Sequence, residues 1–379
     1  MSVVAAFLTD YCLRRWDRTA ETAGRMRFIW LPVYVLLTML PIAGAFLPEG
    51  AAKNLAACAG NIWLGFFVHY GGLLIICLFL FCILKAVSRG RLRSSDAGKC
   101  LCLVLFLSAG LLVYGMIHAQ NTVVERYDLT VDKPGEDMKI VLISDLHLSV
   151  NSNLSLMEQM VDLINAEEPD VVVVAGDIFT STYGGLSDPD SYAEVIRGIQ
   201  SKYGVYAVYG NHDVEETLFG GFPISPISEA FRTAEMERFF DDCGFITLTD
   251  DVVTLPGGVI LAGRLDGDKA GDGTTNRLSP EELLSDADKT APIVVLQHEP
   301  REFEALSEAG ADIALCGHTH NGQIFPGNLL IPYFNENAWG YKNLYGLDTV
   351  VSAGVGYYGP PMRIGTNSEV TVINLHCAG

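Results

Sequence analysis

The sequence predicts a layered α/β domain, with mixed β-sheets flanked by helices, preceded by an α-helical membrane anchor. Three observations lead there. The first 118 residues carry three long uncharged apolar runs, and from residue 139 onward short Val/Ile-rich runs alternate with helical patterns. Charge divides along the same line: residues 1–118 hold 11 Lys and Arg against 5 Asp and Glu, whereas 119–379 hold 14 against 40.

The anchor comes first. Residues 28–47, 62–84 and 100–117 are each near the ~20 apolar residues that carry a helix across a bilayer. Basic residues cluster before the first run (Arg14, Arg15, Arg18, Arg25, Arg27) and between the second and third (Lys85, Arg89, Arg91, Arg93, Lys99), with only Lys53 in the remaining connector. The positive-inside rule puts those clusters in the cytoplasm. A multi-pass cell-membrane protein results, with residues after about 118 on the extracytoplasmic side. Residues 119–138 read as a linker and 139–379 as the folded domain.

That domain is acidic, which excludes nucleic acid as a partner, because phosphate backbones are held by clustered Lys and Arg. Recurrent Val/Ile/Leu runs exclude disorder. Six of the nine cysteines lie in or beside the anchor, and the other three (Cys243, Cys316, Cys377) fit neither a zinc pattern nor a disulfide framework.

Continuous apolar runs at 139–144, 171–175, 205–209, 293–297 and 313–316 read as strands covered on both faces. Helical patterns at 155–166, 191–200, 227–243 and 300–308 separate them, the first opened by a Ser155/Glu158 capping box. Each strand stops at a polar cluster, and in open α/β sheets the site lies beyond the carboxyl ends of the strands. Those clusters supply Asp145, His147, Asp177, Asn211, His212, His298, His318 and His320. Imidazole with carboxylate and amide oxygen is a donor set for Mn²⁺, Fe²⁺ or Zn²⁺, since Ca²⁺ and Mg²⁺ favour oxygen alone.

In order, the clusters read Asp145-x-His147, Gly176-Asp177, Gly210-Asn211-His212-Asp213, His298 and Gly317-His318-Thr319-His320. This pattern resembles the calcineurin-like metallophosphoesterase family, and within it the bacterial membrane-anchored branch similar to the YaeI and YkuE phosphoesterases. The resemblance covers about residues 138–376 and implies a metallophosphoesterase sandwich fold. It implies that Asp145, His147 and His320 hold one divalent metal ion, that Asn211, His298 and His318 hold a second, and that Asp177 bridges them. It implies hydrolysis of a phosphodiester or pyrophosphate by a metal-bridged hydroxide. His212, one residue beyond a ligand, is the expected catalytic residue, stabilising the transition state or protonating the leaving oxygen. Asp213 is expected to orient His212 or cap a helix, and Arg363 to meet substrate or form a surface ion pair. Asn321 stands where relatives usually have glycine, which bears on fine specificity. Apolar loops at 214–235 and 325–327 read as core packing, a lid or a bilayer contact. Tethering points to a membrane- or envelope-linked phosphate ester, lipid-linked substrates included. The alternative is a catalytically silent receptor or scaffold, whose mark would be a lost ligand; every ligand position is filled.

Overall fold

The computed structural model describes residues 2–16, 20–48, 50–88, 96–219 and 222–378. They fall into two compact units, Met1–Ile117 with Pro360–Met362, and His118–Gly359 with Arg363–Gly379.

The first unit is helical: α1 Ser2–Trp16, α2 Ala20–Phe46, α3 Ala51–Val87 and α4 Asp96–His118. Three segments are long and apolar enough to cross a membrane, Phe28–Phe46, Ala51–Val87 and Asp96–His118. The second apolar run is thus the C-terminal part of a helix that begins earlier, at Ala51. Outward faces show Phe28, Leu36, Phe79 and Phe106 to the surroundings, an arrangement that hydrocarbon accepts and water penalises. Inward, Ala5, Cys12 and Leu13 of α1 pack in a cluster with Tyr70, Leu74, Leu78 and Leu101. Of the basic residues that set the expected orientation, Arg18, Arg89, Arg91 and Arg93 lie outside the described residues, as do the side chains of Arg15, Arg25 and Arg27.

The second unit opens with β1 Thr122–Val131, β2 Met138–Ile143, α5 Leu154–Ala166, β3 Val171–Ala175, α6 Pro189–Arg197 and β4 Val205–Val208. A small hairpin of β5 Leu218–Phe219 and β6 Phe222–Pro223 precedes α7 Ala234–Asp242, β7 Ile246–Thr247, β8 Asp251–Thr254 and β9 Ile260–Gly263. Then come α8 Pro280–Leu283, β10 Ile293–Leu296, α9 Phe303–Glu308, β11 Ile313–Cys316 and α10 Gly327–Leu330. The unit closes with β12 Gly340–Leu344, β13 Leu347–Val351 and β14 Ser368–Cys377.

Two six-stranded sheets result, ordered β1-β14-β2-β3-β4-β7 and β12-β13-β11-β10-β9-β8. Strands β2, β3 and β4 are mutually parallel, as are β9, β10 and β11. Because strand side chains alternate, each strand feeds two layers. Leu142, Val173 and Val208 meet Leu261, Val294, Leu296 and Leu315 in one cluster between the sheets. On the far faces, Val141 and Ile143 pack with Met157, Met160 and Ile164 of α5, and Ile260, Val295 and Ala314 pack with Phe303 and Leu306 of α9. Burying each such side chain contributes about 1.5–3 kcal/mol. The mixed α/β sandwich flanked by helices is the fold class the sequence predicts.

Three local expectations differ. Residues 119–138, read as a linker, contain β1, an edge strand paired in parallel with β14. Its period-2 signal is present but polar on one side: Leu129 and Val131 are buried, while Arg126, Asp128 and Thr130 face out. Helix α5 is capped by Asn153, whose side chain accepts from Ser155 N–H at 3.1 Å, so the Ser155/Glu158 box does not form. The helix expected over 227–243 begins only at Ala234, where Thr233 caps it. Ahead of it, Phe231 forms bridges with Glu215 and Asp272, which hold that stretch extended.

Candidate metal centre

The strands deliver the site residues one loop at a time. Asp145 and His147 follow β2, Asp177 follows β3, Asn211 and His212 follow β4, His298 follows β10, and His318 and His320 follow β11. The chain turns sharply at these ends. Asp145, His147, Asp177, His318 and His320 have φ of 54°, 47°, 55°, 77° and 49°, in the left-handed region that L residues enter at a cost of about 1–2 kcal/mol each. Two glycines of the motif make room: a Cβ at Gly210 would collide with the Asp177 carboxylate, and one at Gly317 with that of Asp145.

Donor atoms converge in two groups. In the first, His147 Nε2 lies 2.9 Å from His320 Nε2 and 3.8 Å from Asp145 Oδ1, and His320 Nε2 lies 3.4 Å from that same oxygen. In the second, His298 Nε2 is 3.0 Å from Asn211 Oδ1, and His318 Nδ1 is 3.1 Å from Asn211 Oδ1 and 3.2 Å from His298 Nε2. Asp177 Oδ2 reaches both groups, 3.6 Å from His147 Nε2 and 3.1 Å from His298 Nε2. Ligands about 2.1 Å from a cation would stand about 3.0–3.4 Å apart; five of these eight spacings fall in that range, including all three within the second group, while those from His147 to Asp145 and Asp177 are wider at 3.8 and 3.6 Å. All seven expected ligand residues are brought together, and Asp177 occupies the shared position.

Outer contacts fix which nitrogen points inward. His298 Nδ1 donates to Ala175 O at 2.7 Å and His147 Nδ1 contacts Thr180 Oγ1 at 3.2 Å, leaving both Nε2 atoms free to face the centre. Burial pushes the imidazoles of His147 and His318 down to about 3 and that of His320 well below its ordinary value. These rings are therefore neutral, as metal ligation requires. Burial pushes Asp145 up to about 6. For Asp177 and His298 burial opposes ionisation, but each one's charge prevails over it, holding the carboxyl well below its usual range and the imidazole well above. A donor set of this kind binds borderline divalent cations.

His212 stands beside the centre, its ring 5.6 Å from that of His147 and stacked 4.7 Å from that of Tyr358. Its backbone N–H donates to Asp177 Oδ1 at 2.8 Å. Asp213 does not orient it. The Asp213 carboxylate accepts from the backbone N–H groups of Asp177, Phe179 and Gly210 at 2.8–2.9 Å, tying the β3 and β4 loops together. Arg363 is not a surface ion pair. It is fully buried, and its guanidinium Nη2 donates to the carbonyls of Ala353 and Gly356 at 2.7 and 2.6 Å, with that of Gly354 at 3.0 Å. Asn321 has φ 49°, which explains a residue type that tolerates the left-handed region where glycine is usual. In the loop over 214–235, Phe222 and Ile224 are 74% and 50% exposed, so core packing does not account for them; Gly220 and Gly221 lie outside the described residues. Phe325 is 47% exposed.

Sequence reasoning missed Ser181 and Glu216, which meet His212, and Lys269, which meets Glu216. Only Glu216 left a trace, as the residue four positions after His212. Tyr358 was also missed, although it lies in the closing glycine-rich run.

The family implied by the motif order is also the one found by comparison with known proteins. The model of the calcineurin-like phosphoesterase family matches residues 138–322. A transmembrane protein with metallophosphoesterase domain from Danio rerio is 31% identical over 321 residues, covering 80% of this chain and 70% of its own length. An uncharacterised metallophosphoesterase from Helicobacter pylori strain J99 is 28% identical over 251 residues, 65% of this chain and 61% of its own. The uncharacterised metallophosphoesterase YkuE of Bacillus subtilis is 28% identical over 257 residues, 63% of this chain and 79% of its own. With two donor groups meeting on one carboxylate at the strand ends, and apolar helices ahead of them, the chain belongs to the calcineurin-like phosphoesterase family.

Proposed function

We propose that this protein is a membrane-anchored phosphoesterase that uses two divalent cations (Mn, Fe or Zn) to hydrolyse phosphodiester or pyrophosphate bonds of a membrane- or envelope-linked substrate. The observation that carries this reading is the position of Asp177 Oδ2, within 3.6 Å of one donor group and 3.1 Å of the other. Asp145, His147 and His320 hold one cation, Asn211, His298 and His318 hold the other, and Asp177 serves both. Such a pair supplies water with its pKa lowered from 15.7 towards ~7 and neutralises charge on the phosphoryl oxygens. The protein does the rest. Asn211 contributes a neutral oxygen, which keeps the centre positive enough for an anionic ester. His212, the proposed catalytic residue, donates a proton to the leaving oxygen. Tyr358, stacked on His212, walls that side and limits its rotation.

The domains follow as an anchor over residues 1–118 and a catalytic domain from 139, which β1 extends back to Thr122. A substrate in or near the bilayer is supported by the three apolar helices that precede the catalytic domain. An extracytoplasmic catalytic domain is supported by Arg14, Lys85 and Lys99 on the expected inner side. The full chain in detergent, loaded with Mn²⁺, is expected to bind two ions and cleave an aryl phosphodiester, and to prefer a lipid-linked pyrophosphate over a water-soluble one. Two bound ions with no hydrolysis of any phosphate ester would refute the reading. A C-terminal reporter active only in the cytoplasm would refute the orientation.

A further inference from the structure

Beside the metal centre lies a buried chain of hydrogen bonds that neither the motif nor metal binding requires. Ser181 Oγ is 2.7 Å from His212 Nδ1 and 2.8 Å from Glu216 Oε1. Lys269 Nζ donates to both oxygens of Glu216, at 2.6 and 2.7 Å. The Glu216 side chain is 1% exposed and that of Lys269 11%. Backbone bonds lock the three loops in register: Ser181 N–H donates to His212 O and Glu216 N–H to Ser181 O, both at 3.0 Å.

The direction of this chain follows from proton counting. Burial would favour the neutral acid at Glu216, but its bonds from His212, Lys269 and Ser181 hold it below its ordinary value, so it is an acceptor only. The single hydroxyl proton of Ser181 therefore goes to Glu216. Its oxygen lone pair must then accept from His212 Nδ1–H. With Nδ1 fixed as a donor, Nε2 is the nitrogen that gains or gives the second proton.

We propose that Glu216, acting through Ser181 and balanced by Lys269, is the positioning residue that fixes His212 Nδ1 as a donor and turns Nε2 to the leaving group. This deepens the phosphoesterase reading and rests on it. In the step concerned, water forms the new P–O bond and releases one proton to solvent. The old P–O bond breaks with its electron pair on the leaving oxygen, and the His212 Nε2 proton moves to that oxygen. Solvent then returns a proton to the imidazole.

Leaving-group dependence separates this role from a structural one, because a nitrophenolate departs without help and an alkoxide does not. The full chain in detergent, loaded with Mn²⁺, is assayed on methyl phosphodiesters running from nitrophenyl to alkyl leaving groups. Glu216→Gln is expected to lower kcat about 10-fold to 100-fold on the alkyl esters. On the nitrophenyl ester kcat is expected to stay within about two-fold, with KM and the two bound ions unchanged throughout. Glu216→Asp recovers part of the loss. The neutral pair Glu216→Gln with Lys269→Met, which strands no buried charge, repeats the loss. Should the carboxylate variants not fold, Ser181→Ala removes the bridge, leaves the ion pair in place and carries the same expectation. A uniform fall across all leaving groups, or no fall on the alkyl esters, overturns the proposal while leaving the phosphoesterase reading intact. A wild-type chain that binds two ions and cleaves none of the esters overturns both.

Discussion

Replacing Arg363 with Met tests whether the closing loop is held by a buried cation. The guanidinium Nη2 donates to the carbonyls of Ala353 and Gly356 at 2.7 and 2.6 Å, and it also lies 3.0 Å from Gly354 O and 3.3 Å from His320 Nδ1. Nη2 has two hydrogens, and the carbonyls at 2.6 and 2.7 Å take them, so the His320 contact is packing. Burial pushes the arginine down to about 10, against the pull of the Glu369 and Asp145 charges. It remains a cation at neutral pH.

Methionine fills much of the same volume but leaves the carbonyls of Ala353 and Gly356 without their donor, each at about 1–3 kcal/mol, less what local relaxation recovers; that of Gly354 keeps its bond from Glu369 N–H at 3.0 Å. A net loss of about 3–5 kcal/mol follows, the range found on breaking buried charge interactions. For a unit of this size that is roughly 6–20 °C in Tm, read by thermal unfolding in detergent. Arg363→Lys keeps the charge but loses the planar fork, and is expected between the two. If Arg363→Met left Tm within 2 °C while KM for a phosphodiester rose several-fold, Arg363 would be a substrate contact and the reasoning wrong.

Asp177→Asn removes the charge shared by the two donor groups but keeps an oxygen for His212 N–H; bound metal is expected to fall from two ions to one or fewer by elemental analysis. Activity should drop by more than the roughly 10–100-fold typical of outer partners, and retention of two tightly held ions would contradict the bridging role. Chelator-treated protein is expected to keep a roughly level stability between about pH 4 and 6.5: there the unfolded chain protonates His147 and His318, whose folded values lie near 3, while folded Asp213 and Glu299, pushed up by burial to about 7 and about 8, keep protons that the unfolded carboxyls have released. Above about pH 6.5 only the carboxyl effect continues, so stability falls until about pH 8. A Tm that rises steadily from pH 5 to 9 would contradict this. Asn321→Val places a β-branched residue at φ 49°, costing about 1–2 kcal/mol or roughly 2–8 °C, whereas Asn321→Gly should match or exceed the wild type; equal Tm for all three would contradict the assignment.

What the sequence made legible follows from burial. Strands β2, β3, β10 and β11 are covered on both faces, so composition alone marks them as Val/Ile runs. The ligands were legible because metal chemistry restricts residue type and the glycines fix their spacing. Edge strands escaped notice: β1 turns Arg126 and Asp128 outward, and β12 exposes Tyr341, Lys342 and Asn343. So did every role that depends on contacts remote in sequence. Asp213 and Arg363 each bind backbone groups that no periodicity connects to them, and Ser181, Glu216 and Lys269 come from three loops.

Charge is where sequence totals and local chemistry diverge most. The chain after residue 118 carries 40 acids against 14 bases, which would repel an anionic ester if the whole surface acted at once. It does not, since exposed charges beyond about 8 Å are largely screened at physiological salt. Within the centre only Asp145 and Asp177 are acids; Asn211 is neutral, and burial keeps His147, His318 and His320 neutral as well. Two divalent cations on that set would leave a net positive charge among buried side chains, where screening is weakest. An ester phosphate would meet that charge and His212 rather than the acidic surface. The acidic excess thus acts on solubility and on which macromolecules approach, and the reaction is decided by a few donors that the strand ends hold in left-handed turns.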